Sequence, residues 1–280
     1  MLTKRMFMRF AALCLAAPAA ARAEGEPKGE ADGSAAANED SWKSLRKQYF
    51  GDRPIGEAEG YIVLDAPTRA EEAALVPIDL LFPARGKTGD RVKAVTLIVD
   101  ENPVPLVTTL QRGRIDDGAF QFSTRIRVNS YSYVRAIAET ESGALHMAKS
   151  FVKAAGGCSA PAGKDPEEAL ANVGKMRFRS FAATGRDEAQ VQIRHPNYSG
   201  MQMDQQTRLY TPAWYVVHVR VLQGDDLLFA MENGISLSED PTFRFTYRAN
   251  GAPVRVEAQD SRGTSFTGSF PANGDPPAKG

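Results

Sequence analysis

Between residues 60 and 153 the chain alternates short runs of β-branched and aromatic residues with turn formers. Tyr61–Leu64, Leu75–Phe82, Val92–Val99, Phe120–Val128, Tyr131–Ala138 and Leu145–Val152 are the runs. Pro67, Gly86, Gly89, Asn102-Pro103, Gly113, Gly118 and Gly143 punctuate them. Thr124, Arg125, Arg127 and Asn129 interleave with Ile126 and Val128, the period-2 pattern of a strand with one face buried. Short strands at this spacing over about 100 residues predict an antiparallel sandwich.

The same pattern returns further on. Met176–Phe181, Ala189–Ile193, Trp214–Leu222, Leu227–Met231, Phe243–Tyr247, Val254–Glu257 and Ser265–Phe270 read as strands. Gly224-Asp225, Asn233-Gly234 and Asn250-Gly251 mark turns. Val217, Val219 and Val221 alternate with His218 and Arg220, again one face in. Residues 159–172 (SAPAGKDPEEALAN) form a Pro/Ala/charge-rich connector and a natural boundary. The fold class expected is all-β: two immunoglobulin-like antiparallel sandwiches in tandem, over 57–158 and 173–270.

The ends differ in composition. Lys4, Arg5 and Arg9, the apolar run Phe10–Ala17 and the small-residue site Ala21-Arg22-Ala23 fit a secretory signal over residues 1–23. Its apolar run is far short of the ~20 residues that span a bilayer, so no membrane span is expected. Residues 24–56 read as a disordered leader followed by a short helix. Asp40 or Ser41 is the expected N-cap of that helix, Trp42, Leu45 and Tyr49 share one face, and Gly51 and Pro54 end it. Residues 271–280 read as a disordered tail.

Charge excludes one class of partner. The chain has 34 basic and 34 acidic residues; without Lys4, Arg5, Arg9 and Arg22 the balance is 30 against 34, a net of −4. Nucleic-acid binding calls for a basic excess or stripe, and there is none.

The chain has two cysteines, and Cys14 lies inside the signal. Cys158 therefore enters an oxidising compartment as a single thiol. An odd cysteine there is either a reactive group or one half of an intermolecular bond, giving a Cys158-linked dimer. It follows Gly156 and Gly157, at the end of a strand-like run and just before the connector. Buried cysteines usually sit inside elements as small hydrophobes, whereas paired glycines free the backbone. The expectation is a thiol carried on a swinging arm.

Other chemistry is thinner. His195-Pro196, with Asn197, Tyr198, Ser199, Gly200 and Met201, makes His195 a candidate support for the thiol. His195, Met201, Met203 and His218 suggest copper only loosely, because their spacing is open and His218 belongs to a separate strand. Phosphate-cradling loops, a Gly-x-Ser-x-Gly elbow and a His-Glu-x-x-His pair are absent from the sequence. No catalytic residue, metal or cofactor is expected.

The segment ending in Gly156-Gly157-Cys158 resembles SoxY, the sulfur-carrier subunit of bacterial periplasmic thiosulfate oxidation. The resemblance rests also on Val76-Pro77-Ile78, Asp100 with Asn102-Pro103-Val104-Pro105, Thr124-Arg125-Ile126-Arg127 and Val134-Arg135-Ala136. The second half resembles SoxZ through His195-Pro196 with Ser199-Gly200, Pro212–Val216, Ile235-Ser236, Asp240-Pro241, Phe243–Phe245, and Asp260 with Gly263. The resemblance implies a non-catalytic periplasmic carrier holding sulfur intermediates on Cys158. Gly156 and Gly157 would let that thiol enter the active sites of sulfur-oxidation enzymes. It looks like the fused SoxYZ-like carriers that accompany pyrroloquinoline-quinone dehydrogenases, so a quinoprotein system is the other partner implied. In the family the arm ends the chain; here Ser159 and a whole domain follow, tethering it at both ends and shortening its reach. A second reading makes the chain a non-covalent adaptor for a periplasmic quinoprotein dehydrogenase, acting through sheet edges and the 195–203 loop.

Overall fold

The structure, a computed structural model, describes residues 33–86, 88–113, 118–163, 165–181, 186–204 and 207–271. The expected signal (1–23), the first part of the leader and nearly all of the tail lie outside the described residues. Helix α1 (Gly33–Phe50) comes first, followed by strands β1 (Ile55–Glu57), β2 (Val63–Asp65), β3 (Val76–Phe82), β4 (Val92–Val99) and β5 (Leu106–Arg112). Strands β6 (Phe120–Ile126), β7 (Ser132–Thr140) and β8 (Leu145–Val152) complete the first half. Helix α2 (Pro166–Ala171) lies between the halves, and β9 (Met176–Phe181) and β10 (Asp187–Ile193) open the second. Strands β11 (Val216–Gln223), β12 (Asp226–Asn233), β13 (Thr242–Tyr247), β14 (Val254–Asp260) and β15 (Ser265–Phe270) complete it.

The fold is all-β, and its strands form two sheets rather than four. One runs β1-β8-β7-β4-β5-β12-β11-β14-β15, the other β2-β3-β6-β13-β10-β9. All pairings are antiparallel except β1 on β8. Each half supplies part of both sheets, and the halves meet strand to strand: β5 pairs with β12 and β6 with β13. Leu110 lies opposite Met231, and Phe122 opposite Phe245. One apolar core fills the space between the sheets and runs through the seam, where Phe122 meets Phe229 edge-on at 5.5 Å and Phe243 at 6.0 Å. Both sheets thus run across the two halves on either side of the 159–172 connector. The connector carries α2, whose first turn is capped by Asp165 accepting from the N–H groups of Glu167 and Glu168.

Two expected boundaries change. Helix α1 begins at Gly33, so Asp40 and Ser41 lie inside it and do not cap it. The leader is therefore ordered from Gly33 on: Trp42 and Phe50, with Leu45 and Tyr49, pack on Ile98, Ile137 and Leu145. Arg135, fully buried, locks this contact, lying 4.5 Å from the Trp42 ring while its guanidinium pairs with Asp100 at 2.8 Å. Strand β5, absent from the sequence reading, is an interior strand with neighbours on both sides. Its Thr108 satisfies its hydroxyl by donating to Asn233 Oδ1 at 2.8 Å, which lets a polar residue sit in a buried strand.

Strand directions place one set of loops at one end of both sandwiches. These are the segments after β4, β6, β8, β10, β12 and β14, together with the approach to β3. Cys158 lies among them.

Candidate functional site

Residues 153–160 leave β8 and fold back across this loop-rich end. Lys153 N–H donates to Thr68 O at 2.9 Å, Gly156 N–H to Asn129 O at 2.8 Å and Gly157 N–H to Val128 O at 3.0 Å. A turn closes with Ser159 N–H donating to Gly156 O at 3.2 Å. The two glycines have different reasons to be glycine. Gly156 has φ +78°, a left-handed conformation that side chains disfavour. Gly157 is pressed against main chain: a Cβ there would lie 2.1 Å from Ala73 O and 2.6 Å from Val128 O.

The segment expected to be a swinging arm is packed against the loops around it. Cys158 is fully buried. Its carbonyl accepts from the Ser199 hydroxyl, and Gln202 Nε2 donates to Ala160 O at 3.0 Å, so the loop between β10 and β11 closes over it. Arg127, 1% exposed, donates from Nη1 to Gly157 O at 3.1 Å and from Nη2 to Asn197 O at 3.4 Å. Asn102 holds the floor: its Nδ2 donates to Arg127 O at 2.8 Å and to Ser236 Oγ at 2.9 Å, and its Oδ1 accepts from Asn129 N–H at 2.8 Å. Arg127 N–H in turn donates to Ser236 O at 2.7 Å. The walls of the pocket thus come from both halves, Asn102, Arg127 and Asn129 from one, Ser199, Gln202 and Ser236 from the other.

Burial pushes the Cys158 thiol up to about 11, against the opposing influence of the Arg127 charge and a hydrogen bond with Ser236. At neutral pH the docked sulfur is therefore a protonated thiol, and the thiolate is the reactive form. Burial likewise lowers the Arg127 pKa, which the charges of Cys158, Glu239 and Glu72 act to raise.

His195 is near this pocket but does not enter it. Its Nδ1 accepts from Asn197 N–H at 3.1 Å, its ring meets Trp214 edge-on at 4.7 Å, and its Nε2 lies 3.7 Å from Asp260 Oδ2. With Nδ1 accepting, the ring proton sits on Nε2, and burial lowers the pKa so that the ring stays neutral. Its place is to hold Asn197, whose carbonyl accepts from Arg127. His218 is exposed on the outer face of β11, away from the buried His195. No cluster of three or more His, Cys, Asp or Glu with metal-holding geometry occurs among the described residues.

The sequence reading missed Arg127, Asn102, Ser199, Gln202 and Ser236 as site residues. The alternation through β6 assigns Arg127 to the solvent face with Arg125. The strand ends at Ile126 and the next residue turns inward.

A family model described as "Sulfur oxidation protein SoxY" matches residues 46–158, and one described as "Sulphur oxidation protein SoxZ" matches residues 176–271. This is a fused SoxYZ-like chain. The SoxY match ends on Cys158, and the SoxZ match begins at β9. Among solved structures, the sulfur carrier protein SoxY from Chlorobium limicola f thiosulfatophilum is 21% identical. That likeness covers 44% of this chain and 98% of that one, with a TM-score of 0.36. The secreted serine protease VesC from Vibrio cholerae is 11% identical over 69% of this chain and 47% of its own, with a TM-score of 0.24. Likenesses this distant decide nothing about the chain. No curated protein sequence matches it. No described helix is long and apolar enough to cross a membrane.

Proposed function

We propose that this SoxYZ-like chain is a periplasmic carrier that binds sulfur intermediates covalently through Cys158 and presents them to separate enzymes. The observation that carries the reading is the placement of Cys158. It is the one cysteine outside the expected signal, it ends the SoxY match, and it lies in a pocket assembled by both halves. A structural cysteine in a core needs neither a left-handed glycine nor a buried guanidinium beside it.

Docked and undocked arms have different tasks in this proposal. Docked, the thiol is protonated and shielded, which protects it from oxidation. Undocked, it reaches a partner's active site, and the partner performs the chemistry. Four residues lie between the Lys153 anchor and the cysteine, so five residue steps give an extended reach of about 17 Å. The connector side is longer, so the β8 side sets the limit.

The test is the intact mass of protein taken from the native host's periplasm, with and without reductant, together with a Cys158→Ser variant. Sulfur-sized, reductant-labile additions on the Cys158 peptide are expected, and Cys158→Ser is expected to fold normally yet lose function. An active Cys158→Ser protein would overturn the proposal.

The adaptor reading, with a quinoprotein dehydrogenase as partner, is favoured by one observation. Leu209 and Tyr210, 69% and 65% exposed, project from the loop that closes over the arm. Co-purification with such an enzyme that survives blocking of the thiol, and is lost on Leu209→Ser/Tyr210→Ser, would support it.

A further inference from the structure

A sheet edge is a row of unpaired main-chain donors and acceptors, and chains that stay single guard it by shortness, charge or proline. Among the described residues the two sheets end in four strands, β1 and β15 on one and β2 and β9 on the other. Strands β1 and β2 are three residues long. The first follows Pro54 and closes on Glu57; the second closes on Asp65, with Pro67 beyond it. Strand β9 is six residues long and carries Arg177 and Arg179, both exposed. Strand β15 has none of these guards. Its six residues, Ser265-Phe266-Thr267-Gly268-Ser269-Phe270, pair along their whole length with β14 and include no charge and no proline. Ser265, Thr267 and Ser269 are exposed. The hairpin that starts the strand fixes its free side. Asp260 N–H donates to Thr264 O at 3.0 Å, so Thr264 and every second residue after it bond to β14. The N–H and C=O groups of Ser265, Thr267 and Ser269 therefore point away from the sheet. Residues 271–280 include Pro271, Pro276 and Pro277, which remove donors that a covering strand needs.

We infer that β15 is an interface for a second copy of this chain, pairing antiparallel with its own counterpart about a two-fold axis at Thr267. In that register Thr267 faces Thr267 of the second copy and Ser265 faces Ser269, and each facing pair exchanges its N–H···O=C bonds. Hydroxyl side chains opposite one another bond across such a pair, and a strand without charge does not repel its own copy. Phe266 falls opposite Gly268 of the second copy, so two rings do not compete for one position. This match of hydroxyl to hydroxyl and ring to glycine is one the strand makes with itself. Strand β9 lies against β15, with the Phe178 and Phe270 rings stacked at 5.3 Å, and its two arginines keep that edge from joining. Each copy uses its single unguarded edge once, so the assembly closes as a dimer and does not grow. The contact buries one strand edge only, which makes association weak and dependent on concentration. It involves neither Cys158 nor the carrier reading, and it is distinct from a thiol-linked dimer.

The test is sedimentation equilibrium of the full chain, with reductant present, from about 1 to about 500 µM, the range that a small interface calls for. A monomer at the low end and a dimer at the high end are expected, with slower amide exchange of Ser265, Thr267 and Ser269 in the concentrated sample. Thr267→Lys sets two like charges opposite each other and is expected to raise the dimer dissociation constant by about tenfold or more. Thr267→Pro adds no charge and removes a donor that β14 does not use, so the monomer keeps its fold and the dimer is lost. Melting temperatures of dilute samples check the fold, and where Thr267→Pro does not fold, Thr267→Lys decides. A monomer at every concentration would overturn the inference; if deleting residues 272–280 then produces the dimer, the tail of this chain is the occupant of the edge instead. A dimer that withstands both substitutions, or that forms only without reductant, overturns it as well.

Discussion

Replacing Gly157 with alanine puts a methyl group 2.1 Å from Ala73 O and 2.6 Å from Val128 O, both main-chain atoms held by the Val128 N–H···O=C Ala73 bond of 2.9 Å. Neither can retreat without breaking the entry to β3, so the arm must leave its site. The thiol then falls from about 11 toward its ordinary value of 9.0. At pH 8 this raises the thiolate fraction roughly ninetyfold. A less basic thiolate is a weaker nucleophile, which offsets about eightfold of that gain. Ionisation alone therefore accelerates reaction with a disulfide reagent by about tenfold, and solvent access adds to it. Gly156→Ala meets open space and carries only left-handed backbone strain, on the order of 1 kcal/mol, so most of its arms stay docked. The assay is the pseudo-first-order rate of disulfide exchange at pH 8 for the original protein and both variants, with melting temperatures as a control on folding. Gly157→Ala is expected to react far faster than Gly156→Ala. If both variants react at the original rate, or alike, the glycines supply only freedom and the docking argument is wrong.

Other outcomes follow from the same geometry. Because the folded thiol pKa is raised, the unfolded or undocked form holds fewer protons between about pH 9 and 11. Docking is therefore complete below pH 9 and weakens as pH rises toward 11, losing roughly 3 kcal/mol, visible as faster hydrogen exchange of residues 154–160. Phe229→Ala, at the seam, is expected to cost about 3–5 kcal/mol and to lower one cooperative calorimetric transition. Two separate transitions would show that the halves fold independently. Trp42→Ala removes the ring under Arg135 and should free α1, making the Lys43, Arg46 and Lys47 bonds the first that trypsin cuts. Asp100→Asn removes the buried partner of Arg135, leaving only the half-exposed Glu39 at 3.3 Å, and should destabilise by about 3 kcal/mol in denaturant titration.

Strands with an unambiguous inside and outside were legible in the sequence. Val219 and Val221 point inward and His218 and Arg220 outward, as the alternation requires. Period-2 reading breaks down where both sides or both faces are covered, as in β5, and where a side chain turns at a strand end, as at Arg127. Cys158 was singled out from its neighbours in sequence, but its pocket was not. Asn102, Arg127, Ser199 and Ser236 are brought together only when β5 meets β12 and β6 meets β13, and nothing local to any of them signals that encounter. Gly-Gly was read as freedom, and in the docked state it answers a tight turn and a close main-chain approach. Both readings invoke the missing side chain; only the contacts distinguish them.

The seam carries a consequence for assembly. Two separate subunits joined by β5–β12 and β6–β13 pairing come apart as they are diluted. Joined by the short 159–172 connector, each half meets the other at an effective concentration in the millimolar range, whatever the number of molecules in solution. The pocket over Cys158 then forms by a first-order reaction within one chain. Its stoichiometry is written into the peptide bond, so no molecule waits with an exposed thiol for a missing partner.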